Sequence, residues 1–282
     1  MPKLTNQVQL NPLTSRYEPA NAYWMAKFSE IAYRKQKDLS PDVQAIKAEL
    51  CNIDKKFSEV KGFDAKSSQG IVIKHEDFVV AAFRGTDEIG DWLDNLNAVP
   101  QCGPLGGDVH TGFYRALMDI WPQMKTAIRS FCRTSNGLPD RPLWLTGHSL
   151  GGALATLAVA TLMEADETFY GAYMFGSPRV GNKVFARHFN VEAKGKVFRF
   201  QNNADIVTRV PARLMGYSHV GSFVYISENG KLSTDIGWWY RFMDTVKGVI
   251  ADIGEKGLDA IEDHSIDEYI ERIANFGDNH PD

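Results

Sequence analysis

Apolar residues in this chain gather into short unbroken runs and into longer stretches where they recur every three or four positions. Lys196-Val197-Phe198-Arg199-Phe200 and Val220-Gly221-Ser222-Phe223-Val224-Tyr225-Ile226 read as strands. Arg141-Pro142-Leu143-Trp144-Leu145-Thr146 is apolar with a proline only near its start, which suits a buried strand. The stretch from Ala153 to Ala160, rich in alanine and leucine and free of glycine and proline, predicts a helix. Residues 21–33 predict another, with Ala22, Met25, Phe28, Ser29 and Ala32 near one stripe. A second N-terminal helix is expected after Ser40-Pro41-Asp42, with the proline in its first turn. Lys74-His75-Glu76-Asp77 reads as a hairpin turn, and the polar, proline-containing residues 1–18 read as an arm.

Between the strand ending near Thr146 and the helix beginning near Ala153 lies Gly147-His148-Ser149-Leu150-Gly151. Glycines two before and two after Ser149 remove β-carbons that would clash in a sharp strand-to-helix turn. Such a turn lifts the serine hydroxyl clear of the sheet and puts the Leu150 amide at a helix start, an oxyanion donor beside a nucleophile. The bland alternative is an ordinary glycine-rich turn. A dinucleotide fingerprint fits worse, because Ser149 stands where the second glycine of G-x-G-x-x-G belongs.

A serine needs a base. His219, His264 and His280 follow it in the chain. His280 lies in the polar C-terminal tail, where fraying opposes accurate positioning. His219 leads into an expected strand. His264 directly precedes Ser265-Ile266-Asp267-Glu268, a capping box that should open the last helix. For the acid, Asp205 is the leading choice, since it follows the apolar strand at 196–200, and open α/β sheets place sites at the carboxyl ends of strands. His110 and His148 are expected to support the site's surroundings, His75 to sit in a hairpin and His188 on a helix surface.

These residues resemble the fungal-type, or class 3, lipases of the α/β-hydrolase superfamily. Ala82-Phe83-Arg84-Gly85-Thr86 is similar to that family's oxyanion strand end, and Val109-His110-Thr111-Gly112-Phe113 to its V-H-x-G-F segment. Phe175-Gly176-Ser177-Pro178-Arg179-Val180-Gly181-Asn182 is similar to its G-S-P-R-V-G motif. Asn203-Ala204-Asp205-Ile206-Val207 with Val210-Pro211 resembles the acid segment, and Asp263-His264-Ser265 with Tyr269 the histidine segment. The resemblance implies an α/β-hydrolase fold: a mostly parallel central sheet with helices on both faces and a short helical lid. It implies Ser149 as nucleophile, His264 as base and acid, and Asp205 as the orienting carboxylate. The amides of Thr86 and Leu150 would form the oxyanion hole, with the Thr86 hydroxyl as a further donor. The implied chemistry is acyl transfer from a lipid ester through a covalent intermediate, with no metal and no other cofactor.

The segment after Thr86 bears on the substrate. Ile89, Trp92, Leu93 and Leu96 fall at helical spacing with acidic residues between them, and their position is similar to the family's lid over the serine. The plain alternative is a small surface helix packed permanently on the core. Its acidic face favours neutral lipid or uncharged esters over anionic membranes. Trp239, Phe242, Met243, Val246, Val249, Ile250 and Ile253 share one helical face, read as packing on the sheet or roofing the acyl cleft. An interfacial helix is the alternative, but Asp244 and Asp252 among Arg241 and Lys247 dilute the basic bias of such anchors.

The 282 residues, 44% hydrophobic and without repeats or an evident linker, are expected to form one domain over 1–282. A net charge of −4 gives no nucleic-acid footprint, and no apolar run is long enough to span a bilayer. The N-terminus lacks a basic start and apolar core, so standard export is not expected; a non-standard route or a trimmed precursor would look the same. Three cysteines allow at most one internal bridge, unlike the disulfide-bonded secreted relatives that the resemblance brings to mind. The function expected is cleavage of carboxylic esters of lipids in the manner of a triacylglycerol lipase. An esterase or phospholipase A of the same fold, an acyltransferase, and a lipase-like binding protein that has lost the chemistry are the alternatives.

Overall fold

The structure is a computed structural model, and it describes residues 10–66, 68–94, 99–133, 140–228, 230–233 and 263–279. Helices α1 (Pro19–Ile31) and α2 (Val43–Ile53) precede strands β1 (Phe57–Ala65), β2 (Ser68–His75) and β3 (Val79–Phe83). A short helix α3 (Ile89–Asp94), strands β4 (Pro100–Cys102) and β5 (Asp108–His110) and the long helix α4 (Thr111–Phe131) follow. Next come β6 (Leu143–His148), α5 (Leu150–Glu164), β7 (Gly171–Phe175), β8 (Gly181–Asn182) and α6 (Lys183–Ala193). The chain continues through β9 (Val197–Asn202), β10 (Tyr217–Ser218), β11 (Ser222–Ile226) and β12 (Leu232–Ser233) to α7 (Ile266–Asn279).

The main sheet has the order β1-β2-β3-β6-β7-β9-β11-β12. From β3 to β11 all neighbours are parallel, with antiparallel strands at either edge. Every residue of β3, β6, β7 and β9 is buried, which is why these strands read as apolar runs and not as an alternation. Successive residues still point to opposite faces. Val79, Ala81, Phe83, Leu145 and Met174 pack with α4, α5 and α6. Val80, Ala82, Trp144, Tyr173 and Phe175 pack with α1, α2 and α7. A smaller sheet, β10-β8-β5-β4, stands beside this sandwich.

The fold is the α/β-hydrolase arrangement expected from the sequence, with some shifted boundaries. Helix α1 starts at Pro19, two residues before the expected Asn21, because Pro19 itself supplies the first-turn proline. Pro41 lies before α2 and not within its first turn; Asp42 is the N-cap, its Oδ1 accepting the Ala45 N–H at 3.0 Å. Strand β6 begins at Leu143 and runs on to His148, two residues past the expected end. Of the expected N-terminal arm, residues 10–18 are described and lie against the sheet: Leu10 is buried and Tyr17 meets Phe198 edge-on at 5.6 Å. His75, at the end of β2, is buried and stacked on Phe78 at 4.2 Å. The amphipathic stretch 238–253 lies outside the described residues.

Cys51 and Cys132 are half-buried and Cys102 is exposed, and all three are free thiols. Among the described residues, no helix is long and apolar enough to cross a membrane.

Candidate active site

At the end of β6 the chain turns within one residue. Ser149 adopts φ 59° and ψ −130°, and α5 starts at Leu150. Its N–H donates to the Phe175 carbonyl at 2.9 Å, fastening the turn to β7. A Cβ on Gly147 would lie 2.2 Å from the Gly151 carbonyl oxygen, and one on Gly151 would lie 2.1 Å from the Phe83 oxygen. Close backbone approach therefore dictates both glycines, and the second contact draws the end of β3 up to the turn. The next residues follow: a Cβ on Gly85 would sit 3.0 Å from Ser149 Cβ. The Gly85-Thr86 backbone thus lies beside Ser149. The Thr86 Oγ1 accepts the Glu88 N–H at 3.3 Å, which leaves its own proton to donate elsewhere. As the first residue of α5, Leu150 has no carbonyl within the helix for its N–H.

Asp205 follows β9 and is fully buried. Its Oδ1 accepts the Val207 N–H at 2.9 Å and its Oδ2 the Tyr269 hydroxyl at 2.6 Å. Burial and the Asp205 charge hold the Tyr269 phenol well above its ordinary range, so it stays a donor. His264, also fully buried, brings Nδ1 to 3.0 Å from both Asp205 oxygens. An ionised carboxylate only accepts, so the ring carries its proton on Nδ1 and turns a bare Nε2 away from the aspartate. Asp263 pins the segment: its carboxylate takes the Asn203 amide at 3.0 Å and the Ala204 N–H at 3.1 Å, with Arg272 at 3.4 Å. Gly176 closes the pocket around the ring. It has φ 58°, and a Cβ there would lie 2.7 Å from His264 Cε1 and 2.9 Å from Asp205 Oδ2. Among the described residues, Ser149 Oγ and His264 Nε2 are both buried and neither has a hydrogen-bond partner. Other buried side-chain atoms, Ser68 Oγ and Trp144 Nε1 among them, are unpaired as well; what sets this pair apart is that one hydroxyl sits on the strained turn after β6 and the other atom on a ring oriented by Asp205.

The structure joins His264, and not His219, to Asp205. His219 donates from Nε2 to the Thr208 carbonyl at 2.8 Å, and burial with the charges of Arg199 and Arg179 keeps it neutral well below its ordinary pKa. His148 donates from Nε2 to the His264 carbonyl at 2.6 Å, while its Nδ1 faces the Tyr33 hydroxyl at 2.9 Å. Burial, then the neighbouring His264, pushes its pKa far down. His110 stacks on Phe113 at 3.9 Å, and His188 lies on α6 with Nδ1 at 2.6 Å from the Leu105 carbonyl. His280 is outside the described residues.

Of the expected lid residues, Ile89, Trp92 and Leu93 are half-buried on α3, and Leu96 lies outside the described residues. Trp92 stacks on Phe113 at 6.0 Å and 18°. Tyr33, Tyr269 and Gly176 are site neighbours whose contacts the sequence did not reveal. Tyr269 belongs to the stretch that resembles the family's histidine segment, but its bond to Asp205 emerges only from the structure.

Residues 80–215 match the sequence profile of the family described as Lipase (class 3). The chain is similar to a protein of Fusarium solani named secreted mono- and diacylglycerol lipase 1, 35% identical over 186 residues, covering 65% of this chain and 54% of that protein. It is also similar to an Arabidopsis thaliana protein named phospholipase A(1) DAD1, chloroplastic, 31% identical over 201 residues, covering 63% and 42%. The chain thus spans about half the length of the curated relatives it matches. In shape it is similar to a solved structure of a Rhizomucor miehei triacylglyceride lipase, with a TM-score of 0.63 and 23% identity over 76% of this chain and 83% of that one.

Proposed function

We propose that the chain, whose residues 80–215 match the family described as Lipase (class 3), is a member of that family and a serine hydrolase cleaving carboxylic esters of lipids through an acyl-enzyme. In this reading Ser149 Oγ attacks the ester carbonyl as its proton passes to His264 Nε2. Asp205 holds the ring with Nδ1–H toward itself and stabilises the imidazolium that forms. The Thr86 and Leu150 amides, with the Thr86 hydroxyl, receive the oxyanion, a contribution whose loss typically slows such reactions by about a hundredfold or more. His264 then returns the proton to the departing alcohol, and water deacylates the serine by the same steps. The whole of 1–282 acts as one catalytic domain.

The observation that carries this reading is Ser149 held on a strained strand-to-helix turn together with His264, whose Nδ1 is committed to the buried Asp205 carboxylate and whose Nε2 is left bare. Acylglycerols are the proposed substrates, taken from a lipid–water interface beneath α3. Phospholipid cleavage at an sn-1 ester is the second reading, and the name of the Arabidopsis relative is what favours it.

The test is hydrolysis of a soluble short-chain ester, an emulsified triacylglycerol and a phosphatidylcholine vesicle by wild type and Ser149→Ala. Wild type should turn over the soluble ester and the emulsion, and Ser149→Ala should lose at least about a thousandfold on each with its Tm preserved. Turnover of vesicles alone would move the substrate to phospholipids. Undiminished activity in Ser149→Ala would sink the nucleophile assignment, and silence on all three substrates would return the chain to a lipase-like scaffold.

A further inference from the structure

The three parts of the proposed site come from distant stretches of chain: the strand end at Gly85, the turn at Ser149 and the loop at His264. One side chain outside the proposed machinery touches the structure between them. Tyr33 follows α1, and its hydroxyl lies 2.9 Å from His148 Nδ1. The Gly85 backbone packs against the same oxygen: a Cβ on Gly85 would lie only 2.3 Å from it. On the far side of the ring, His148 Nε2 reaches the His264 carbonyl at 2.6 Å, and the two imidazoles stand 4.5 Å apart.

The direction of every proton in this chain is fixed by chemistry. A carbonyl only accepts, so His148 must carry its proton on Nε2. The ring is neutral, held so by burial and by His264, and Nδ1 is then a pure acceptor. The Tyr33 hydroxyl therefore donates to Nδ1, while its oxygen lies against the Gly85 backbone. Burial keeps the phenol protonated across the working pH range. Remove the phenolic proton and Nδ1 is left buried without a donor. The ring is then held by hydrogen bonding from the Nε2 side alone and is free to shift toward the space the hydroxyl leaves, which moves the contact with the His264 carbonyl. A neutral His148 has a second consequence: it puts no positive charge beside the imidazolium that forms on His264 during acyl transfer.

We propose that Tyr33 is a positioning residue for the reaction, and that the path Gly85–Tyr33–His148–His264 sets the spacing between oxyanion donors, nucleophile and base. This rests on the serine-hydrolase reading above. It assigns Tyr33 no contact with substrate. Its effect falls on the chemical step, because errors of a fraction of an ångström in the approach of Ser149 Oγ to His264 Nε2 act on the transition state more than on binding.

The experiment compares wild type, Tyr33→Phe and His148→Gln on a soluble ester, with the fraction of competent enzyme counted by a serine-directed fluorophosphonate. Per labelled site, Tyr33→Phe should lose about tenfold in kcat with KM within about twofold. His148→Gln retains a donor for the His264 carbonyl and an acceptor for Tyr33, and should keep at least about a third of wild-type kcat. Wild-type kcat per labelled site in Tyr33→Phe would overturn the proposal, as would a loss that appears wholly in KM. Should Tyr33→Phe fail to fold, His148→Gln decides: a loss of about tenfold or more overturns the proposal. Absence of labelling at Ser149 in wild type would instead overturn the serine-hydrolase reading itself.

Discussion

Gly176 leaves no room for a side chain beside the His264 ring. Its φ of 58° already disfavours a side chain, and a Cβ would press on both His264 and Asp205 at under 3 Å. The fully buried pair has no slack in which to retreat. Gly176→Ala is expected to lower kcat by about a hundredfold or more, the scale on which misplacing a reactive group acts. Steady-state kinetics normalised to labelled serine would check this, and a loss confined to KM would contradict it. The same contact explains why a glycine follows β7 in the motif Gly176-Ser177-Pro178-Arg179. The close approach belongs to the imidazole, which arrives from a position 88 residues later in the chain.

Among the elements, α2 offers a contrast between stability and chemistry. Its N-terminus is held by the Asp42 carboxylate on the Ala45 N–H, and the helix buries only Ile46 and Leu50 in the core beneath β1. Asp42→Ala should cost about 1 kcal/mol, lowering Tm by about 2–4 °C, and should leave kcat per labelled serine unchanged; thermal unfolding and active-site titration read the two separately. The elements were legible in the sequence where local rules govern them. Buried parallel strands left apolar runs, the glycines around Ser149 announced the turn, and Ser265 announced the start of α7. The neighbours of the site were not legible for a physical reason. Tyr33 meets His148 across 115 positions and Tyr269 meets Asp205 across 64, and such contacts leave no period or spacing in a single sequence. Pro41 differs from the sequence expectation on a local point: a proline next to an aspartate reads as first-turn, whereas the aspartate takes the cap and leaves the proline outside.

For the molecule as a whole, buried histidines tie stability to pH. His75, His148 and His219 are all pushed below their ordinary pKa, with burial as the largest cause in each. The unfolded chain binds a proton at each below about pH 6.5, whereas the folded chain does so only at lower pH. Their contribution is therefore complete above neutrality and is lost as pH falls through the unfolded value, at up to about 1.4 kcal/mol per pH unit for each. Denaturant midpoints at pH 7.5, 6.5 and 5.5 should fall in that order, most steeply in the acid interval; a flat profile would mean that these rings protonate in place. The thiols distribute differently over the molecule. Burial lifts Cys132 to about 12, and Cys51 is half-buried with its sulfur 3.4 Å from the Phe57 carbonyl, whereas Cys102 is exposed on β4, eight residues after α3 ends. The native protein thus carries its own attachment point: a maleimide dye or nitroxide added near pH 7 should modify Cys102 first. Spectroscopy of α3 at a lipid surface then requires no engineered cysteine and no removal of the other two.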